Sequence, residues 1–442
     1  MMKAKSLLYF LIITFILILA ACSGQGKTTT PESSENDEGS NKTEEPEVTE
    51  KMEEETITIT WAKSKAGNVD PLIQAFEEKN PNIKINLLEL PDTSAAHDYF
   101  VTTFAGKSSE IDVFDADVIW PAEFVQSEYS LPLDRFIERD NIKLDEYFPG
   151  TVRAGNIDGR QWAIPRYTNA ALLFYRKDIV ETPPTTWDEL IEMAEEYKGE
   201  NGTDIGYALQ ANQYEGLVVN AIEFIEGYGG SVIDENGEVV INSPEAIKGI
   251  EKMIEIVQSD ITPSNIVNFR ELETETAFID GHAVFARNWP YMWNSALDEE
   301  RSVVSENVGT ALLPAGDKGS AATLGGWMTM ISRFTENTEE AWKFVKFITG
   351  EEGQKISAMT DGRPPTIEAL YEDEDVTEAV PIFGNPDFVE TLLTAVPRPV
   401  TGIYPEVSDI MQIELSSALV GDITAQQAVE NMEKKITEAL DQ

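Results

Sequence analysis

Cysteine is all but missing from this chain: Cys22 is the only one in 442 residues. A lone thiol closes no intrachain disulfide and builds no thiolate metal site. Histidine is nearly as scarce, with His97 and His282 far apart along the sequence. That argues against a histidine-based zinc site and against a Ser-His-Asp triad. Both imidazoles read as structural, and no metal or cofactor is expected. Positive charge is also short: Lys and Arg total 33 against 79 Asp and Glu, a net charge of -46. A surface that acidic repels nucleic acid and anionic lipid, which excludes both as direct partners. It suits neutral or cationic ligands, and adaptation to saline or alkaline surroundings accounts for its bulk. The apolar run at residues 7–19 is too short for a comfortable membrane span.

What is present begins at that run. Lys3 and Lys5 precede it, which is the layout of a signal-peptide core. Leu19-Ala20-Ala21-Cys22 follows and resembles the lipobox of bacterial lipoproteins. The resemblance implies removal of residues 1–21 and acylation of Cys22, with several acyl chains anchoring durably where one alone is marginal. A plain secretory signal is the alternative. Residues 22–55 read as a disordered acidic leash, rich in Ser, Thr, Asn, Gly and Glu and without an aromatic. Such a segment buries too little apolar surface to fold, and its carboxylates extend it. A tethered body on the outer membrane face would work outside the cytoplasm.

The remainder is long enough for two or three domains, and 42% hydrophobic residues can supply their cores. Ile57, Ile59 and Trp61 alternate as in a strand. Val69, Leu72, Ile73 and Phe76 share a helical face, and Ile83, Ile85 and Leu87 alternate again. This βαβ pattern predicts a parallel sheet. A helix is expected over 97–105, then a short buried strand over 111–114 that ends in Asp115-Ala116-Asp117. The pattern restarts after Pro165 with a strand at 171–175. Thr186-Trp187-Asp188-Glu189 is a capping box. A helix over 214–228 should stop at Gly229-Gly230, and Asn236-Gly237 should turn a hairpin. A strand at 283–286 leads into Trp289-Pro290-Tyr291-Met292-Trp293, either a plug of the loop core or, as its place at a strand end favours, a ligand-facing shelf. Thr323-Leu324-Gly325-Gly326-Trp327 puts a bulky ring next to bare backbone, either one wall of a pocket or a core tryptophan of an ordinary strand–turn–helix. After a strand at 328–332, Ala341, Phe344, Val345 and Ile348 recur at helical spacing, with Trp342 in the apolar stripe.

IDVFDADVIWPAEF, the run from Tyr167 to Asp178, QYEGLVVNAIEF, FARNWPYMW, AATLGGWMTMIS and VPRP at 396–399 occur in a telling order. From Ile57 onward the chain resembles the family 1 extracellular solute-binding proteins of ABC importers, and within them the trehalose/maltose-binding branch. The resemblance implies an α/β, two-lobe, periplasmic-binding-protein-like fold of type II. It implies three crossing segments, placed near residues 165–167, 327–329 and 365–370. Residues 56–166 and 328–367 would form lobe 1, and residues 167–327 and 368–442 lobe 2. It further implies a monomer that binds a sugar, a disaccharide or oligosaccharide, and delivers it to permease subunits and their ATPase. It implies no catalysis.

Sugars present apolar C–H faces and many hydroxyls, so their sites combine aromatic rings with carboxylates, amides and Arg in a desolvated cleft. By resemblance, Asp117, Tyr167, Trp289, Gly326, Trp327 and Arg398 occupy ligand-contact positions, with Tyr214, Glu215 and Tyr404 behind them. Asn169 stands where the branch carries an acid. The loop at 62–68 lacks the glutamate found there and offers Ser64 and Asn68 instead. A non-sugar solute is the nearest alternative. A secreted glycosidase would need only two suitably spaced carboxylates, such as Asp115 with Asp117, but such pairs arise by chance in so acidic a chain. Gly106-Lys107-Ser108 resembles the end of a P-loop, yet Val101 stands where that motif needs glycine.

Overall fold

The computed structural model describes residues 56–441 apart from 66, 92 and 235. The expected signal peptide 1–21, Cys22 and the leash 22–55 lie outside the described residues. In chain order the strands are β1 (Ile57–Ser64), β2 (Ile83–Leu90), β3 (Val113–Asp117), β4 (Asn156–Ile157), β5 (Arg160–Gln161), β6 (Ile164–Asn169), β7 (Leu172–Arg176), β8 (Ile205–Ala208), β9 (Ala283–Asn288), β10 (Val308–Ala311) and β11 (Gly325–Ile331). One sheet has the order β2-β1-β3-β11-β6 and the other β10-β7-β9-β8, while β4 and β5 form a small ribbon. Each sheet with its helices is one lobe.

The first lobe grows from the expected βαβ unit. β1 pairs in parallel with β2 and with β3, and β11 runs antiparallel to β3 and β6. Alternation along β1 sends Ile59 and Trp61 into the core, where both are fully buried. The helix Asp70–Lys79 starts with Pro71 in its first turn, where a missing N–H costs nothing, and buries Leu72 and Phe76. In the second lobe the capping box forms as read: Thr186 accepts from the Glu189 N–H, opening the helix Trp187–Tyr197. The helix Glu215–Tyr228 ends on Gly229 at φ +95°, a left-handed cap that glycine adopts without strain. The turn at Asn236-Gly237 is flanked by a single antiparallel bridge, Ile233 to Val239. The strand expected from 328 begins at Gly325, because the glycines pair with Asn169 and Thr168 of β6.

Strand membership moves the crossings. β6 stays in the first sheet through Asn169, so residues 167–169 belong with lobe 1 and the first crossing is the fully buried pair Ala170 and Ala171. β10 belongs to the second sheet and β11 to the first. The second crossing therefore precedes Gly325, and Thr323 within it bridges Val396. The third crossing lies after residue 395, not near 365–370. There the Phe148 N–H donates to Thr366 O at 2.7 Å, and the Tyr371 ring packs 5.6 Å from Phe148. These contacts keep the segment with lobe 1. The helix Tyr404–Leu419 then packs on Glu215–Tyr228 in lobe 2.

Candidate functional site

Three strand ends build one wall. In register, Trp327 of β11 lies opposite Asp117 of β3 on one side and Tyr167 of β6 on the other. Directly paired residues share a sheet face, so a carboxylate, an indole and a phenol stand in a row. Gly326 makes the row compact. It has φ +123°, and a Cβ there would lie 2.4 Å from Tyr167 O. Gly325 is opposite Asn169, and a Cβ on it would meet Cζ3 of Trp289 at 3.1 Å. Trp289, at the end of β9 in the second lobe, thus reaches bare backbone of the first.

Arg398 ties both lobes together. Its Nη2 donates to Asp117 Oδ1 at 3.2 Å and its Nη1 to Glu215 Oε1 at 2.7 Å. Tyr404 donates to the same Glu215 oxygen at 2.6 Å, and Ser408 donates to the other. Arg398 is 7% exposed, so these pairs are little screened by water. Burial pushes the Asp117 carboxyl up from its ordinary value, and the Arg398 guanidinium pulls it back. Burial likewise raises the phenols of Tyr214 and Tyr404, and that of Tyr167 to about 12, so all three are hydrogen-bond donors at neutral pH.

Each wall aromatic has a neighbour that the sequence did not single out. The Arg166 guanidinium lies 5.1 Å and the Arg363 guanidinium 4.7 Å from the Tyr167 ring centre. Arg166 is locked by Asp115 at 2.6 Å, and Asp115 also accepts from the Trp61 indole at 3.0 Å. Asp115 is therefore a buried structural anion rather than a partner for Asp117 in acid–base chemistry. Trp120 meets Trp327 edge to face, and Ser408 completes the shell of Glu215. Trp120 lies within the segment IDVFDADVIWPAEF; no local pattern marks Arg363.

Two expected residues sit differently. Asn68 is exposed, and its side chain accepts from the Asp70 N–H at 3.1 Å, a turn at the start of a helix. Its own N–H reaches Asp361, which also holds Arg363, so it is linked to the wall through that relay. Tyr214 packs under the Arg270 guanidinium, 4.7 Å from its ring centre. A cavity of about 1170 Å³ lies beside the cluster, bounded by Gln126, Asn156, Ile222, Glu226 and residues 396–402. Arg398 is on its wall, but Tyr167, Trp289 and Trp327 are not. Rings and paired charges instead converge at the strand ends.

This arrangement offers apolar ring faces, donor phenols, an amide and a fixed guanidinium–carboxylate cluster. It suits a neutral, hydroxyl-rich molecule. Both acids of the cluster, Asp117 and Glu215, are engaged by Arg398, which leaves neither as a free general acid or base.

Known proteins resemble this chain over most of its length. Residues 62–355 match the family model described as bacterial extracellular solute-binding protein. A probable ABC transporter-binding protein of Deinococcus radiodurans is 32% identical over 388 residues, 85% of this chain and 87% of that one. The maltotriose-binding protein of Pyrococcus abyssi is 27% identical over 71% of this chain and 66% of its own length. Among solved structures, maltose-bound T. maritima MalE3 superposes with a TM-score of 0.76 at 36% identity, covering 87% of this chain and all of that one (100%).

Proposed function

This chain belongs to the bacterial extracellular solute-binding protein family, and from that premise we propose that it captures a saccharide between its lobes and delivers it to an ABC permease. It is a solute-binding protein and not an enzyme. The observation that carries the sugar reading is the row Asp117–Trp327–Tyr167 opposite Trp289, with Arg398 and Glu215 at its edge. Rings cover C–H faces while charged groups take hydroxyls, and exclusion of water strengthens those hydrogen bonds. One similar protein is named for binding maltotriose, and a similar solved structure has maltose bound. The ligand proposed here is accordingly a maltose-type disaccharide or oligosaccharide, with trehalose as the related disaccharide. Ligand contacts with both lobes would bias a hinge closure. Acylated Cys22 would hold the body, as a monomer, at the outer face of the cytoplasmic membrane.

Titration calorimetry of the fragment starting at residue 56, across malto-oligosaccharides, trehalose, amino acids and polyamines, tests this. One-to-one binding of a saccharide is expected. Binding of an amino acid or polyamine, with no heat from any saccharide, would replace the sugar reading.

A further inference from the structure

Trp289 rests on a buried charged network rather than on apolar side chains. The Arg287 guanidinium carbon lies 4.6 Å from the Trp289 ring centre. Arg287 is 1% exposed, and each of its nitrogens is committed. Nε donates to Glu223 Oε2 at 3.0 Å, Nη2 to Glu223 Oε1, and Nη1 to Gln210 Oε1 at 2.8 Å. Gln210 returns a bond to the Arg287 carbonyl at 3.1 Å, so side chain and backbone at the end of β9 are fixed together. Glu223 is 2% exposed and also accepts from the Thr323 N–H at 3.4 Å. Thr323 belongs to the second crossing and donates through Oγ1 to Val219 O at 2.9 Å. A single hydrogen-bonded set thus runs from beneath the ring to the crossing backbone.

Stability alone explains such a pair poorly. Removing two charges from water is costly, and well-packed apolar replacements are often neutral or stabilising. What the pair supplies is placement. A planar guanidinium under an indole holds one ring face, and its fork geometry fixes the plane in a way that lysine cannot reproduce. The first lobe repeats the device independently, with Arg166 beside Tyr167 and locked by the buried Asp115.

We infer that Arg287 and Glu223 are positioning residues: they fix the Trp289 ring against Gly325 of the opposite sheet and bind that platform to the crossing at Thr323. The inference rests on the saccharide reading of the site and adds to it a pair with no ligand contact of its own. Fluorine NMR of the protein labelled with 5-fluorotryptophan gives the test, the residue 289 signal being assigned by its loss in Trp289→Phe. The variants are Arg287→Lys and the apolar pair Arg287→Met with Glu223→Leu, which leaves no lone buried charge. In the ligand-free variants the residue 289 signal should shift or broaden while the Trp342 signal stays. Maltotriose affinity should fall roughly tenfold in the apolar pair and less in Arg287→Lys. A folded apolar pair with the residue 289 signal and the affinity both unchanged overturns the inference. If Trp289→Ala leaves maltotriose affinity intact, the site reading fails, while the ligand-free signal still decides whether Arg287 orders the ring.

Discussion

Trp120 meets Trp327 edge to face, with ring centres 5.5 Å apart and planes at 81°. Trp120 is 5% exposed and packs among Phe100, Phe124 and His97, whereas Trp327 is half-buried. The wall ring thus packs edge-on against a core ring.

Removing that core ring should therefore be felt at the site. Trp120→Leu should weaken saccharide binding about two- to tenfold, the loss of an aromatic pair worth ~0.5–1.5 kcal/mol. It should also lower the melting temperature. Calorimetry beside differential scanning measures both, and unchanged affinity in a folded variant would sever Trp120 from the site.

Trp342 is the contrasting case. It is 1% exposed, stacks on Phe136 at 5.2 Å and donates to Asp140 at 2.8 Å. Trp342→Ala should cost about 3–5 kcal/mol of stability in urea unfolding and leave the affinity of the folded protein near wild type.

Asn169 is half-buried opposite Gly325. Asn169→Asp exchanges an amide that donates and accepts for a carboxylate that only accepts. The order of preference among maltose, trehalose and maltotriose should change, as read by competition titration. Identical relative affinities would remove Asn169 from the residues that select the sugar.

His97 gives a pH signature. Its Nε2 lies 2.8 Å from Glu123 Oε2, and that hydrogen bond raises its pKa from the ordinary value near 6.5, against the opposing effect of burial. Asp98 is the other acid facing it, at 3.9 Å. A raised folded value means that the stabilising contribution is full below the unfolded value of 6.5 and is lost as pH rises through the folded one. The stability difference between wild type and His97→Gln should therefore shrink as pH rises above 6.5 through the raised folded value. A difference that grows over that range would show the opposite linkage.

The sequence made the local parts of this architecture readable. Alternation at Ile57, Ile59 and Trp61 and the capping box at Thr186 are short-range signals, and both formed. The helical phase of Trp342 pointed to the core, and the ring is there. The crossings were harder, because pairing of Gly325 with Asn169 is a contact between distant segments that no local pattern encodes. Asp117 at a strand end and Trp327 beside bare glycine backbone were each readable locally, but Tyr167 as a contact came only from the family resemblance, and the register that aligns the three joins distant segments. Arg166 was not legible as part of the wall, since its partner Asp115 is 51 residues away.

The central claim is that a saccharide lies against the row at the strand ends, with Trp327 as a stacking platform. Calorimetric affinity of Trp327→Ala for the best-binding saccharide, with its melting temperature recorded, tests it most directly. Ring removal forfeits ~0.5–1.5 kcal/mol of aromatic contact and roughly 25 cal/mol for each Å² of apolar area covered. The account predicts a loss of about 2–4 kcal/mol, or roughly 30- to 1,000-fold, with a smaller fall in melting temperature than Trp342→Ala produces. A variant that melts early while its folded fraction binds with wild-type affinity would make Trp327 a core residue and contradict the account.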